Sequence, residues 1–163
     1  MTDACAPGVI TITPASAGDD DARSLVADLD AELAPHYTAA QSHGLAFAAL
    51  FQPHIRFFVV HCDGAPAGCG GIALADGFAE LKRMYVRAGF RGCGVADALM
   101  MRLEAETVTA GATLLRLETG TAQHAALKFY ERHGFQRCGI FPPYAGMSPE
   151  ALATSIFMEK RLG

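Results

Sequence analysis

Four positions in this chain carry side chains or backbone that could do chemistry. Two are carboxylates on strand-like stretches, Glu80 in Phe-Ala-Glu-Leu-Lys-Arg-Met-Tyr-Val and Glu118 in Leu-Glu-Thr-Gly. One is a phenol, Tyr130, on a helix-like stretch. The fourth is a glycine-rich loop, Arg91-Gly92-Cys93-Gly94-Val95-Ala96, lying between a strand pattern and a helix pattern. Carboxylates and phenols move protons. A glycine-rich turn opening a helix binds anions, because the first helical amides have no intrahelical partner and the helix dipole is positive there.

The loop's type can be narrowed. No Gly-Lys-Ser/Thr follows it, so it is not a nucleotide P-loop. It lacks the third glycine and the βαβ lead-in of a dinucleotide fingerprint. Read alone, it is either a phosphate nest of consecutive N–H groups or an ordinary left-handed turn with a surface arginine. Six histidines show no paired metal-ligand spacing, so no metal site is expected.

The elements that must position these groups follow from periodicity. Val9 to Thr13 is β-branched and reads as a strand. Ser16 to Asp20 offers caps for a helix to about Leu33, with Leu25, Val26, Leu29 and Leu33 on one face and Pro35 as its stop. Leu45 to Phe51 suggests a second short helix. Arg56 to Cys62, Pro66 to Leu74 and Phe78 to Val86 are strands separated by Asp63-Gly64 and Asp76-Gly77 turns. Such short turns join antiparallel neighbours, so an antiparallel meander is expected. A helix then spans about Val95 to Ala110, a strand Thr113 to Glu118, and a helix Gln123 to His133. Phe135 to Phe141 and Thr154 to Glu159 complete the pattern as strands. The order predicts a mixed α/β sheet.

Composition excludes several classes. The chain has 163 residues, 51% apolar and 18% charged, which suits one globular domain over 1–163. A net charge of −4 gives no basic footprint for nucleic acid. No stretch approaches the apolar length of a membrane span. Five cysteines, at 5, 62, 69, 93 and 138, form no Cys-x-x-Cys pair, and the opening MTDACAPG lacks the pattern of a secretory signal. A reduced, cytoplasmic protein is expected. Cys62 and Cys69 read as core or cross-strand residues, and Cys93 as a thiol near a positive helix end whose amide matters most.

Two motifs together carry a resemblance. Arg91-x-x-Gly94-x-Ala96 is similar to the R/Q-x-x-G-x-G/A motif of the GNAT superfamily of N-acetyltransferases. Ala125-Ala126-Leu127-Lys128-Phe129-Tyr130-Glu131-Arg132-His133-Gly134-Phe135 resembles its A-x-x-x-Y-E-x-x-G-F motif. The match covers about Arg56 to Phe135, in the superfamily's element order. It implies the GNAT acyl-CoA N-acyltransferase fold: α/β (an α+β mixed sheet), with a mostly antiparallel central sheet, splayed fourth and fifth strands, and flanking helices. It implies acetyl-CoA as co-substrate. Backbone groups of Met84, Tyr85 and Val86 would pair with pantetheine, and amides from Gly92 through Cys93, Gly94, Val95 and Ala96 would hold the pyrophosphate beside Arg91. Gln123 stands where the family often has an Asn. Asp97 is a second departure, repelling pyrophosphate unless it points away.

The resemblance also assigns roles. Glu80 lies six residues before Val86, so period two puts both on one face. Phe78-Ala79-Glu80-Leu81 resembles the histone acetyltransferase branch, whose strand glutamate is a base; the alternative is a surface Glu paired with Lys82 or Arg83. Tyr130 stands where the family places an acid near the coenzyme sulfur, since a phenol near pKa ~10 can donate to a thiolate near ~8.5. The alternative is a core aromatic. Glu118 is a second candidate base or an amine anchor, or else a cap for the next helix. Tyr37, His43, Phe47 and Phe51 fall in the acceptor wall, and Tyr144 in a loop that closes it. The expected reaction moves an acetyl group from acetyl-CoA to a primary amine, of a small molecule before a protein terminus or lysine. A non-catalytic acyl-CoA sensor is the rival. Pairing into a homodimer through the last strands is a further expectation.

Overall fold

The computed structural model describes residue 6 and residues 8–163; Cys5 and the rest of the opening segment lie outside the described residues. Seven strands form one sheet in the order β1-β2-β3-β4-β5-β7-β6. They are β1 (Ile10–Pro14), β2 (Ile55–Cys62), β3 (Ala65–Leu74), β4 (Ala79–Val86), β5 (Leu114–Gly120), β6 (Gln136–Arg137) and β7 (Ser155–Arg161). Helices α1 (Asp20–Leu33), α2 (Val95–Thr109), α3 (His124–Arg132) and α4 (Pro149–Leu152) connect them. Every strand pairing is antiparallel except β4 with β5.

The local signals act as expected. Asp63 and Gly64 both take positive φ, 51° and 82°, which is the backbone of a tight hairpin between right-twisted strands. Asp19 caps α1, its carboxylate accepting from the Ala22 amide at 3.1 Å. The sheet is covered on both faces. On one, Leu99 and Leu103 of α2 and Tyr130 of α3 pack with Ile72, Leu81, Leu115, Leu117 and Met158. On the other, Ala22, Leu25 and Val26 of α1 pack with Leu50, Phe57, Val59 and Cys69. Cys62 and Cys69 are buried in these cores, and burial pushes the Cys69 thiol up to about 12.

Three differences from the sequence reading matter. The strand expected over Phe135 to Phe141 is only Gln136–Arg137. The chain then leaves the sheet edge so that Phe141 and Tyr144 can bury themselves against Phe78 and Phe157. A short helix, α4, follows; its signal was legible, with Ser148 accepting from the Ala151 amide and Pro149 in the first turn. Leu45 to Phe51 is not an α-helix but a 3-10 turn at Phe47–Phe51.

The decisive irregularity is in β4. Its register against β3 slips between Lys82 and Tyr85, and Arg83 sits at φ 54°. This is a β-bulge, and one extra residue reverses which face each later side chain takes. Ala79 and Leu81 before it, and Met84 and Val86 after it, therefore all join the α2–α3 core. Glu80 does not share a face with Val86, as strict alternation predicted. It faces the α1 side, as does Tyr85, which packs against the α1 core.

Candidate active site

β4 and β5 are paired only at Ala79 with Leu115 and Glu80 with Arg116. Beyond Glu80 they part, leaving Met84, Tyr85 and Val86 without a partner strand on the β5 side. The splayed fourth and fifth strands expected from the sequence are therefore present. A cavity of about 410 Å3 occupies the opening. Its walls come from the end of α1, the segment Tyr37 to Gly44, β4 from Glu80 to Met84, β5 from Leu117 to Gly120, and Gln123, Ala126 and Tyr130 of the α3 region, with Tyr144 across the top. Glu80, Glu118, Tyr130, Tyr37, His43, Tyr144, Met84 and Gln123 are thus brought together.

Glu80 is only 4% exposed, and its Oε1 takes two donors. Lys82 Nζ donates to its Oε1 at 2.9 Å and to Tyr144 Oη at 3.0 Å, while the Tyr144 hydroxyl donates to the same Oε1. The three groups close a triangle. Burial, then the charge of Glu80 and its hydrogen bond, push the Tyr144 hydroxyl far up, which keeps it protonated as a donor. The pairing of Glu80 with Lys82 that was the alternative in the sequence is present, although inside the cavity and not at the surface.

Glu118 differs. It lies near the end of β5, on the strand face opposite the core residues Leu115 and Leu117. Burial raises its pKa above the ordinary carboxylate value; the Ser155 hydroxyl beside it, then His43 and Lys82, oppose the rise, and the charge of Glu80 adds to it. Tyr130, 8% exposed, sits below it on α3. Burial first, and the charge of Glu118 second, push that hydroxyl up to about 12. It makes no hydrogen bond to any described residue.

The remaining wall residues hold position. The Tyr37 hydroxyl accepts from the Ala122 amide at 3.1 Å, and a side chain on Gly120 would strike that ring. His43 Nε2 lies 2.7 Å from the Ala151 carbonyl, fixing that nitrogen as the donor, and its ring meets Tyr144 edge-on. Phe47 and Phe51, expected in this wall, instead pack on the α1 core; Phe51 contacts Phe57, and Arg23 stacks over Phe47. Sequence reading also missed Arg83, Asp30 and Gly120. Arg83 meets Asp30 across 53 positions, which no local pattern reveals.

The loop after β4 has the shape of an anion cradle. Gly92 and Gly94 take φ 77° and 82°, and a side chain on either would meet open space, so the backbone there is accessible. Gly94 is the N-cap of α2, a helix of 15 residues, with no side chain capping it. Asp97 points away from the cradle; Arg132 Nη2 and His133 Nε2 lie 3.1 and 2.7 Å from its Oδ1. Arg91 donates from Nε to the Val86 carbonyl at 3.0 Å and from Nη2 to both oxygens of Glu32. Its charge is therefore shared with α1 before any anion arrives. Cys93 is disulfide-bonded, contrary to the reduced state expected of the cysteines, which removes it as a candidate reactive thiol. Gln123 is the N-cap of α3, but its side chain makes no capping bond and lines the cavity.

Among the described residues no His, Cys, Asp and Glu are grouped to hold a metal ion, and no helix is long and apolar enough to cross a membrane.

Comparison with known proteins agrees with this geometry. Residues 21–135 match the model of the Acetyltransferase (GNAT) family. A protein of Azospirillum brasilense named IAA acetyltransferase is 38% identical over 155 residues, covering 94% of this chain and 98% of that one. The solved structure of an acyl-CoA N-acyltransferase candidate from Klebsiella pneumoniae is 34% identical, with a TM-score of 0.76 over 95% of this chain and 99% of that one. PaiA N-acetyltransferase of Thermoplasma acidophilum, solved with coenzyme A, shares the fold at 16% identity and a TM-score of 0.68, over 94% and 99% of the two chains. A splayed β4–β5 opening, a glycine cradle at the start of α2 and a family match over most of its length show that this chain belongs to the GNAT family of acetyltransferases.

Proposed function

We propose that this chain, as a single domain over 1–163, transfers an acetyl group from acetyl-CoA to the primary amine of a small molecule by direct attack, through a tetrahedral intermediate. The observation that carries the reading is that Glu118 and Tyr130 both line the cavity where β4 and β5 part. The size of the cavity, about 410 Å3, and the name of the Azospirillum relative favour a small molecule over a protein terminus or lysine. A cytoplasmic location belongs to the same reading, as does pairing of two copies, which sedimentation at micromolar concentration tests.

The residues present fit acetyl-CoA. Accessible amides from Gly92 to Ala96 and the unpaired edge of Met84, Tyr85 and Val86 are what a pyrophosphate and an amide-bearing arm need. The co-substrate supplies the thioester, and the rest of the work falls to the chain. Glu118 removes the amine proton; with its pKa raised above the carboxylate norm, it is a stronger base than a free Glu. A backbone amide near Met84 donates to the developing oxyanion. The C–N bond forms first, giving the tetrahedral intermediate, and the C–S bond breaks as that intermediate collapses.

Tyr130 then acts differently from the sequence expectation. With its hydroxyl pushed up to about 12, complete proton transfer to a thiolate near ~8.5 is uphill by about 5 kcal/mol. Tyr130 therefore stabilises the leaving sulfur as a hydrogen-bond donor. The proton taken by Glu118 is the one that finally balances the thiolate, directly or through solvent. Glu80, the base of first choice in the sequence, is assigned the counter-charge of Lys82.

The test is thiol release from acetyl-CoA with a panel of amines and lysine- and N-terminal peptides, repeated with Glu118→Gln. Turnover of small amines, and a loss of about 10²- to 10⁴-fold in Glu118→Gln with coenzyme A affinity kept, are expected. Coenzyme A binding without thiol release for any acceptor points to a sensor and sinks the catalytic reading. Turnover of peptides alone moves the acceptor to a protein.

A further inference from the structure

Arg83 is the cavity residue that the proposed chemistry leaves unused. It is a buried cation, with its side chain 5% exposed. Its partner Asp30 is 64% exposed and is reached from Nη2 alone. Its Nε is fully buried and has no hydrogen-bond partner among the described residues. An orphaned buried donor on a charged group is costly and demands an explanation. Two other donor side chains at the cavity, Lys82 and His43, are committed. Lys82 holds Glu80 and Tyr144, and His43 is bonded to the Ala151 carbonyl.

The surroundings of Arg83 are built for it. The bulge that reverses β4 puts this residue at φ 54°, a conformation bulky side chains rarely take, and directs it to the cavity wall. Gly44 passes so close that a side chain there would fall 2.1 Å from Arg83 Nη1. The guanidinium fork thus has Nη2 on a solvent-exposed Asp and no hydrogen-bond partner at Nε or Nη1 among the described residues. A carboxylate is the group whose geometry matches that fork with two parallel N–H donors.

Resting on the acetyltransferase reading above, we infer that Arg83 anchors a carboxylate of the acceptor, so that the acceptor is an amino acid or another amine carrying a carboxylate. The bound carboxylate displaces Asp30, which returns to water at little cost because it is already mostly exposed. The acceptor's ammonium end then lies toward Glu118, opposite in sign. A cavity lined by Asp30, Glu80 and Glu118 on one hand and Lys82 and Arg83 on the other suits a zwitterion.

The experiment compares the twenty α-amino acids with their carboxamides as acceptors, reading kcat/KM by thiol release. At least one free acid is expected to exceed its amide by about tenfold or more, as loss of a charge-assisted hydrogen bond requires. Arg83→Gln should bring that ratio to about one, and Arg83→Lys should keep part of it. Coenzyme A binding by calorimetry reports folding of each variant. Asp30→Asn is the second arm: it removes the competing carboxylate and should lower KM for the free acid. Amides accepted as well as acids, a ratio unchanged in Arg83→Gln, or a higher KM for acids in Asp30→Asn would each overturn this inference alone. Absence of thiol release with every amine overturns the acetyltransferase reading with it.

Discussion

Replacing Glu80 with Gln distinguishes a structural carboxylate from a catalytic one. Glu80 and Lys82 are 5% and 10% exposed at the side chain and meet at 2.9 Å. Gln keeps an oxygen for the Tyr144 hydroxyl but leaves Lys82 with a buried charge and no counter-ion. Breaking a buried pair from one side costs about 3–5 kcal/mol, and the retained oxygen puts this case near the lower end. For a chain of this size each kcal/mol lowers Tm by about 2–4 °C. Glu80→Gln should therefore melt about 6–12 °C lower, read by calorimetry at pH 7. Glu80→Met with Lys82→Met removes both charges and should recover most of that loss, because an apolar pair of similar volume is neutral or better. The cycle gives the coupling directly. If Glu80→Gln melts within about 1 kcal/mol of the parent, the argument for a structural pair fails. It fails also if folded Glu80→Gln loses as much kcat as Glu118→Gln, because Glu80 would then be the base.

Three further outcomes are expected. Burial raises the pKa of Glu118, and the working base is its ionised form, so kcat/KM should climb with pH through a value above the free-Glu range; an acid limb at the ordinary carboxylate value, or one that survives in Glu118→Gln, contradicts this. The same raised pKa costs the folded state stability above the unfolded carboxylate's pKa and nothing well below it, so Glu118→Gln should raise Tm at pH 7 and leave it unchanged near pH 3. Gly120→Ala places a methyl group within 1.9 Å of the Tyr37 hydroxyl, so the acceptor wall must shift; acceptor KM should rise while coenzyme A affinity, measured by calorimetry, stays. Gly94→Ala forces an L-residue to φ 82° at the N-cap of α2, at a cost of about 1–2 kcal/mol, and should weaken coenzyme A binding by about 5- to 30-fold; an unchanged Kd argues against the cradle.

Much of the site was legible because its signals are local. Asp63-Gly64 names a hairpin, the 3.6-residue apolar spacing in Val95, Leu99 and Leu103 names a helix face, and Gly92 and Gly94 announce left-handed backbone ahead of it. The spacing of that loop from Tyr130 carried the family. These are properties of backbone sterics and periodicity, which a linear chain already contains.

What tertiary structure decided is where period two breaks and who stands opposite whom. A bulge at Arg83 reversed the faces of β4, moving Glu80 from the Val86 side to the α1 side. No residue type in Leu-Lys-Arg-Met-Tyr signals that slip; it depends on pairing with Gly70 and its neighbours in β3. Tyr144 reaches Glu80 across 64 positions, and Asp30 reaches Arg83 across 53. These contacts show that Glu80 is held by Lys82 and Tyr144. Ionisation in a cavity depends on burial and on nearby charge, and both are sums over distant parts of the chain. The sequence alone therefore determined that this protein has a GNAT cradle and three groups able to move protons, while the packed sheet decided that Glu80 is tied to Lys82 and that Glu118 and Tyr130 line one cavity.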